Sequence, residues 1–182
     1  MRFLLRFQPK RSCSSTLPEL PTSKPERVGK VVLREMRLEE VDDVVVIEAK
    51  SFPDPWGYSL FRSELENPFS KGLVAHFANE TKILGYNLFW VMFEEVHILN
   101  FAIDPAFRRL GLGELLMKKT IVIGKELGAT KASLEVRTSN IEAIRLYEKL
   151  GFHIVGERPR YYARTNENAY IMLLSDFNRF EL

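Results

Sequence analysis

The glycine turn at residues 107–119 reads FRRLGLGELLMKK, and it sets the architecture of this chain. A strand-like run, EVHILNFAID (95–104), precedes it, and a helix with apolar periodicity follows. Four residues therefore lie on a strand-to-helix turn: Arg108, Arg109, Gly111 and Gly113. Backbone N–H groups at such a turn lack partners inside the helix, and together with the helix dipole they can hold a phosphate. The glycines leave room for its approach, so the turn predicts an anion site.

Composition bounds the class of protein. With 182 residues and an apolar share of 46%, the chain is expected to form one globular domain. Cys13 has no second cysteine to pair with, which favours a reducing compartment, and we expect the cytoplasm. No apolar run approaches the ~20 residues that a membrane span needs, so we expect no membrane partner.

Charge is distributed unevenly along the chain. Residues 1–30 contain seven basic and two acidic residues, a net charge of +5, whereas residues 31–182 contain 19 basic and 22 acidic residues, a net charge of −3. A mildly acidic domain argues against nucleic acid as its main ligand. We expect residues 1–30 to be a basic, disordered extension and residues 31–182 to be the domain. A transit segment or a start assigned too far upstream are the alternatives for the extension.

Hydrophobic periodicity and turn residues predict seven strands and four helices. The predicted strands are VVLREM (31–36), GLVAHFA (72–78), ILGYNLFWVMF (83–93), EVHILNFAI (95–103), KASLEVR (131–137), HIVGERPRYY (153–162) and AYIMLL (169–174). The predicted helices are LEEVDDVVVIEAKSF (38–52), SLFRSELEN (59–67), the segment from the glycine turn to Gly128, and IEAIRLYEKL (141–150). In the first helix, the apolar residues expected near one face are Leu38, Val41, Val45 and Ala49. Its valine-rich centre would also suit a strand, and the whole order predicts a mixed α/β sheet covered by helices.

Local signals predict the helix starts. Prolines in FPDPWG (52–57) predict a loop, and Ser59 is a candidate N-cap for the helix that follows. Ser139 and Glu142 match a capping box before the last helix, with Asn140 as the alternative cap.

The glycine turn alone is compatible with several kinds of site. A P-loop requires Lys and then Ser or Thr after its last glycine, but Gly113 is followed by Glu114. A dinucleotide-binding fingerprint requires a third glycine where Leu116 stands. A tight turn with solvated arginines is the purely structural alternative.

The glycine turn and a second segment together resemble the signature of a known family. Arg108-x-x-Gly111-x-Gly113 resembles the acetyl-CoA signature of the GNAT acetyltransferase superfamily. The segment LEVRTSNIEAIRLYEKLGF (134–152) resembles the second half of that signature. It is especially similar to the branch of ribosomal-protein-alanine N-acetyltransferases, the RimI type.

The similarity to this branch extends over about residues 31–175. FPDPW (52–56) and RPRYY (158–162) also match it. Ala163 stands where a proline is usual in the branch, and Asn168 stands where an acid is usual. These departures concern the peptide preference rather than the reaction. The resemblance implies a largely antiparallel sheet of about seven strands that splays in the middle, surrounded by about four helices.

The resemblance also implies acetyl-CoA as co-substrate and assigns residues to it. The pyrophosphate would lie on backbone amides of residues 109–114, and the pantetheine arm along the strand that ends at Ile103. The implied cofactor-binding residues are Phe101, Ala102, Ile103, Arg108, Arg109, Leu110, Gly111, Leu112, Gly113, Glu114, Asn140 and Tyr147. A backbone N–H near Phe101 could polarise the thioester carbonyl. No His, Cys or carboxylate spacing suggests a metal.

Two residues are candidates for proton transfer. Glu135 resembles the branch's general base, acting through a water, and a surface glutamate on an alternating strand is its structural alternative. Tyr147 resembles the residue that protonates the departing CoA thiolate, and a core aromatic is its structural alternative.

The acceptor side is assigned by the same resemblance. The candidate substrate-binding residues are Phe52, Pro55, Trp56, Tyr161 and Tyr162, with hydrophobic packing as their alternative role. Glu94 and Glu95 could attract a basic peptide, or could simply be charges on an exposed strand.

These inferences favour an acetyl-CoA-dependent acetyltransferase of protein N-terminal α-amines. The most plausible acceptor is the N-terminal alanine of a small-subunit ribosomal protein. The alternatives are acetylation of a small-molecule amine and a CoA-binding module without turnover. The presence of both Glu135 and Tyr147 argues against the last.

Overall fold

The computed structural model describes residues 29–180, and the predictions made for residues 1–28 lie outside it. Seven strands occur in the described chain: β1 (Val31–Glu35), β2 (Ser70–Phe77), β3 (Ile83–Met92), β4 (Glu95–Ile103), β5 (Lys131–Arg137), β6 (His153–Tyr162) and β7 (Glu167–Leu174). Each coincides with a predicted strand, apart from a few residues at its ends.

Four α-helices accompany the strands within the same residues: α1 (Val41–Ser51), α2 (Tyr58–Glu66), α3 (Leu112–Glu126) and α4 (Ile141–Leu150). The valine-rich first segment is therefore a helix and not a strand. The N-cap of α2 is Gly57, so the prediction of Ser59 as its cap was wrong. Across residues 29–180, no helix is long and apolar enough to cross a membrane.

The strands form one open sheet in the order β1-β2-β3-β4-β5-β7-β6. All neighbours are antiparallel except β4 and β5, which run parallel. A parallel pair needs a crossover, and α3 supplies it between these two strands. The mixed, largely antiparallel sheet implied by the resemblance is thereby confirmed.

Helices cover both faces of this sheet. Leu73 and Ala75 of β2 point into a core shared with α3 and α4, and Val74 between them points into a core shared with α1 and α2. This alternation follows from the two-residue period of a strand. We refer to these as the α3–α4 face and the α1–α2 face.

The buried face of α1 agrees only in part with the predicted one, since Val41 is buried and Val45 packs against the core. Its buried residues are Val41, Val44, Ile47 and Glu48. Ala49 is exposed, and Leu38 precedes the helix and is 42% exposed. Residues 38–40 form a 3-10 turn with three residues per turn, so a helical period counted from Leu38 runs out of phase with α1.

A bulge interrupts β4 in the middle of the sheet. Leu88 of β3 is opposite Asn100, and Phe89 is opposite Ile98, so Leu99 is an extra residue in the pairing. An extra residue reverses the face that the following side chains take. Asn100 therefore points to the α1–α2 face, where it meets Glu48, and Phe101 points to the α3–α4 face.

Candidate active site

The candidate site opens where β4 and β5 diverge. Their pairing ends at Ile98 and Leu134. Beyond that point β4 continues to Ile103 against β3, and β5 continues to Arg137 against β7. This divergence, called the splay below, leaves one backbone edge of residues 99–103 without a partner strand in the described chain. A cleft of about 1360 Å³ lies there.

Most of the predicted site residues line this cleft. They are Phe52, Pro55, Trp56, Phe101, Ala102, Ile103, Arg108, Arg109, Gly111, Leu112, Gly113, Glu114, Glu135, Asn140, Tyr147, Tyr161 and Tyr162. Leu110, predicted as a cofactor contact, is not part of the lining. Glu94 and Glu95 line a different cavity of about 660 Å³, because they lie at the paired end of β4, away from the splay. This second space, called the β3–β4 cavity, is bounded by Trp90, Met92, Phe93, Glu94, Glu95, His97 and Lys131.

The glycine turn forms one wall of the cleft. Gly111 has a φ of +79° and is the N-cap of α3. A β-carbon on Gly113 would lie 3.1 Å from Cδ2 of Leu146 and 3.3 Å from Cζ of Phe101. The backbone conformation therefore favours glycine at position 111, and a β-carbon at position 113 would press closely on the ends of the Leu146 and Phe101 side chains. The first N–H groups of α3 have no intrahelical acceptor and can bind an anion.

Two arginines flank this turn. The Nε of Arg108 donates to the carbonyl of Ile103 at 3.1 Å, and its Nη2 donates to Oγ of Ser51 at 3.2 Å. Arg109 has a φ of +66° and lies 3.8 Å from the carboxylate of Glu142. Both arginines are exposed, but Arg108 is hydrogen-bonded to β4 and α1, whereas Arg109 pairs with Glu142 at the cleft mouth.

The carboxylate of Glu114 is paired away from the anion site. Nζ of Lys149 lies at 2.5 Å and Nζ of Lys118 at 2.9 Å from its oxygens. Hydrogen bonds from Lys149 and Lys118 hold the pKa of Glu114 below its usual range. The negative charge at the first turn of α3 is therefore balanced by two cations beside it.

Glu135 reaches the splay from the α1–α2 face. Leu134 and Val136 on either side of it point into the α3–α4 core, so the strand period turns Glu135 the other way. Its side chain is only 8% exposed. Nη2 of Arg158 lies 3.3 Å from Oε1, and Nε2 of His97 lies 3.5 Å from Oε2. Each carboxylate oxygen thus faces a side-chain nitrogen, one from β4 beside it and one from β6, which lies beyond β7 in the sheet.

Tyr147 reaches the splay from the α3–α4 face. It lies on α4, and its ring packs 6.4 Å from the Phe101 ring and 5.9 Å from the Phe152 ring, between centroids. Burial, with a smaller contribution from Tyr162, raises the pKa of Tyr147 well above its usual value. Its hydroxyl therefore keeps its proton at neutral pH. Glu135 and Tyr147 approach the same opening from opposite faces of the sheet.

Asn140 is the N-cap of α4. Its Oδ1 accepts from the Ala143 N–H at 3.2 Å. The prediction of Ser139 as the cap was wrong, because the Ser139 N–H donates to Glu167 at 3.0 Å and α4 starts one residue later. The capping alternative for Asn140 is confirmed, and Asn140 also lines the cleft.

The candidate acceptor residues form the α1–α2 side of the cleft. Trp56 packs on Phe61 at 5.6 Å between ring centroids. Tyr161 and Tyr162 are in edge-to-face contact at 5.1 Å, and the guanidinium of Arg137 lies 3.8 Å from the Tyr162 ring centroid. Burial raises the pKa of Tyr162 to about 12, against the opposing charge of Arg137. These aromatic groups both pack and line the opening.

Sequence reasoning missed Glu48, which lies under the acceptor loop. It is 1% exposed. Its Oε1 accepts from the Trp56 N–H at 2.9 Å and from Nδ2 of Asn100 at 3.0 Å. The Tyr86 hydroxyl donates to its Oε2 and is also 3.1 Å from Oδ1 of Asn100. The sequence did contain a signal for it, because Glu48 stands among the apolar positions of residues 41–51. A glutamate at such a position is buried only when its carboxylate is paired, so polar partners were to be expected.

Comparison with known proteins places the chain in a family. The profile described as Acetyltransferase (GNAT) family matches residues 41–152. The chain belongs to this family. A protein of Bacillus subtilis (strain 168), provisionally named a ribosomal protein bS18-alanine N-acetyltransferase, is 41% identical over 144 residues, which are 79% of this chain and 94% of that protein.

Two further relatives of this GNAT protein are also N-acetyltransferases by name. The N-alpha-acetyltransferase of Sulfurisphaera tokodaii is 32% identical over 153 residues, covering 77% of this chain and 90% of that one. The crystal structure of the Escherichia coli ribosomal-protein-S18-alanine N-acetyltransferase has a TM-score of 0.73 and 28% identity, covering 80% of this chain and 93% of that one. These matches confirm the resemblance to the GNAT superfamily and its ribosomal-protein-alanine branch. The P-loop and dinucleotide alternatives for the glycine turn are thereby excluded.

Proposed function

We propose that this GNAT protein transfers acetyl from acetyl-CoA directly to the α-amine of a protein N-terminus. The acceptor proposed is the N-terminal alanine of a small-subunit ribosomal protein. The names of the Bacillus, Escherichia and Sulfurisphaera relatives support an α-amine, and two of them support ribosomal protein S18 in particular. The observation that carries the proposal is the splay, with Glu135 and Tyr147 at its two faces.

The α3–α4 side of the cleft suits acetyl-CoA. The free N–H groups at the start of α3, with Arg108 and Arg109 beside them, offer donors and positive charge for a pyrophosphate. The unpaired edge of residues 99–103 offers backbone groups for the amides of a pantetheine arm. Gly113 has no side chain, so α3 can pack closely on Phe101 and Leu146 in this wall of the cleft.

Glu135 acts as general base in this proposal. The attacking amine must lose its proton, and an α-amine with a pKa near ~8 is about one tenth neutral at pH 7, whereas a lysine near ~10.4 is less than about one thousandth neutral. A weaker general base is therefore sufficient for an α-amine than for a lysine. Glu135 lies on the side from which the acceptor enters, and one intervening water brings an amine within its reach.

Tyr147 acts as general acid. The amine nitrogen bonds to the thioester carbon, the C–S bond breaks, and its electron pair leaves on sulfur. The Tyr147 hydroxyl, which burial keeps protonated, donates its proton to that sulfur. A backbone N–H near Phe101 on the unpaired edge stabilises the charge that develops on the carbonyl oxygen.

The acceptor chain lies between the loop of Phe52, Pro55 and Trp56 and the aromatic pair Tyr161–Tyr162. Asn168, which departs from the branch, supports this pair. Its Oδ1 accepts from the Arg160 N–H at 2.8 Å, where Arg160 has a φ of +54°. Asn168 thus fixes the irregular end of β6 that presents the two tyrosines.

An acceptor panel tests the proposed function. It contains peptides that differ only in their first residue, the alanine peptide with a blocked N-terminus and an internal lysine, and the free amines spermidine and an aminoglycoside. Thiol release measures turnover, and mass spectrometry locates the acetyl group. We expect the free alanine peptide to be preferred. Acetylation of the small amines, with no free N-terminus acetylated, would overturn the proposal.

Variants then test the assigned roles. Glu135→Gln and Tyr147→Phe are each expected to lower kcat by roughly 10²-fold or more, while acetyl-CoA binding measured by calorimetry is retained. Glu126→Gln at the exposed end of α3 and Tyr58→Phe at the start of α2 are the matched controls. Unchanged rates in either site variant would remove that residue from the mechanism. Mass spectrometry of ribosomal-protein N-termini from cells with and without the gene identifies the natural acceptor.

A further inference from the structure

His97 joins the cleft to the β3–β4 cavity. Its Nε2 lies 3.5 Å from Oε2 of Glu135, and its Nδ1 lies 2.9 Å from Oγ of Ser133. The Ser133 hydroxyl in turn donates to Glu95, which lines the cavity. A continuous series of titratable and hydroxyl groups therefore runs from the candidate base to the β3–β4 cavity.

The hydrogen bonds fix the orientation of this series. Because the Ser133 hydroxyl donates to Glu95, its oxygen accepts from His97, so Nδ1 carries the hydrogen of the neutral ring. Nε2 then presents a lone pair to Glu135. A proton that the Glu135 carboxylate takes up on Oε2 is therefore placed 3.5 Å from this free lone pair. Neutral His97 is thus poised to take a proton that Glu135 has received.

We propose that His97 is the proton acceptor behind Glu135, and that Ser133 and Glu95 connect it to the β3–β4 cavity. This proposal rests on the proposed function. An ammonium acceptor loses two protons on becoming an amide. One replaces the proton that Tyr147 has given to the CoA sulfur, and the other must reach solvent. The second passes from Glu135 to Nε2, the Nδ1 proton passes to Ser133, and the Ser133 proton passes to Glu95 and then to water.

The route leads away from the acceptor. A bound peptide fills the α1–α2 side of the cleft and separates it from bulk water, whereas the β3–β4 cavity is a separate opening of about 660 Å³. The groups around His97 carry net negative charge. They are Glu135 on β5 with its partner Arg158 on β6, Glu95 on β4 with its partner Lys131, and Trp90 on β3 with its partner Glu64 on α2.

Kinetics of His97→Gln test the role. At pH 7 we expect kcat/KM for the acceptor to fall by roughly 10- to 100-fold, with the KM for acetyl-CoA unchanged. At pH 9 an α-amine is mostly neutral already, so the loss should shrink to about threefold or less. Ser133→Ala should show a smaller loss with the same pH dependence. The control is His153→Gln, on the exposed start of β6, which should match the wild type at each pH.

A rescue experiment separates proton transfer from packing. His97→Ala leaves a space that opens to the β3–β4 cavity, and added imidazole should restore activity at pH 7. Pyrazole has the same shape but is a far weaker base, and it should not. Three results would each overturn the role. The first two concern His97→Gln: a fall in kcat/KM that is equal at pH 7 and pH 9, or no fall at pH 7. The third is that imidazole fails to restore the activity of His97→Ala.

A measurement without substrate keeps this inference separate from the proposed function. The chain has three histidines, so ¹⁵N spectra of the labelled free protein can be assigned with the His97→Gln and His153→Gln variants. We expect the neutral His97 ring to carry its hydrogen on Nδ1, and a ring protonated on Nε2 would overturn the proposal. If the acceptor panel yields only small amines, the proposed function fails, and the His97 variants are assayed with the amine that is used.

Discussion

Glu48 should couple the stability of the domain to the binding of the acceptor. It is 1% exposed and accepts hydrogen bonds from the Trp56 N–H, from Nδ2 of Asn100 and from the Tyr86 hydroxyl. The perturbations are Glu48→Ala, which removes the acceptor, and Glu48→Gln, which keeps one oxygen. Because Trp56 belongs to the proposed acceptor loop, the same change acts on folding and on the cleft.

The loss of unfolding free energy follows from the hydrogen-bond donors that lose their acceptor. In Glu48→Ala the hydroxyl of Tyr86 can turn to Oδ1 of Asn100 at 3.1 Å, but the Trp56 N–H and Nδ2 of Asn100 lose their acceptor. A buried donor without a partner costs ~1–3 kcal/mol, so the loss is about 2–6 kcal/mol. In Glu48→Gln the remaining oxygen serves both donors and the amide donates to Tyr86, so only the charge assistance is lost, about 1–2 kcal/mol.

Thermal unfolding and acceptor kinetics measure the two effects. For a domain of this size ~1 kcal/mol corresponds to roughly 2–4 °C in Tm, so Glu48→Ala should lower Tm by roughly 4–24 °C and Glu48→Gln by about 2–8 °C. Both should raise the KM for the acceptor more than that for acetyl-CoA. Glu66→Gln, which breaks only the exposed pair with Arg62, is the control and should leave Tm close to that of the wild type. A Tm for Glu48→Ala within ~2 °C of the wild type would refute this account of the network.

Three other predictions follow from the site. Tyr147→Phe should leave Tm within ~2 °C of the wild type while lowering kcat roughly 10²-fold, as measured by calorimetry and thiol release; an equal loss of acetyl-CoA affinity would assign the hydroxyl to binding instead. Burial raises the folded-state pKa of Tyr162 to about 12, so its stabilisation is complete below pH ~10 and is lost as the pH rises from there; denaturant unfolding at pH 8 and pH 11 should show this loss in the wild type and a smaller one in Tyr162→Phe. Gly111→Ala should cost ~1–2 kcal/mol of unfolding free energy through its φ of +79° alone and should weaken acetyl-CoA binding, whereas Gly57→Ala, with φ −87° and no atom within 4 Å of the added carbon, should leave acetyl-CoA binding unchanged.

The sequence predicted the elements well because their signals are local. Strand alternation, the prolines around Trp56 and the glycine turn each depend on neighbours along the chain. The seven strands and the helix after Gly111 were therefore predicted close to where they occur. The resemblance to a family supplied the splay, which no local pattern contains.

The features that were missed depend on distant contacts. The register of α1 depends on a 3-10 turn at residues 38–40, which shifts the helical phase and buries Glu48. The link from Glu135 to Glu95 depends on the parallel pairing that places His97 opposite Ser133. Neither the pairing partner of a strand nor the burial of a single glutamate is encoded in a short window of sequence.

The bulge at Leu99 shows how such contacts select the shape of the site. With regular pairing, Asn100 would continue on the face of Ile98, inside the apolar α3–α4 core, and Phe101 would face the Glu48 network. A buried amide without partners costs ~1–3 kcal/mol, and a phenylalanine removed from its core forfeits ~1.5–3 kcal/mol. The extra residue avoids both losses, because it turns Asn100 to Glu48 and Phe101 to Tyr147. The polarity of two adjacent side chains therefore favours the irregular strand, and the irregular strand lies where β4 leaves β5.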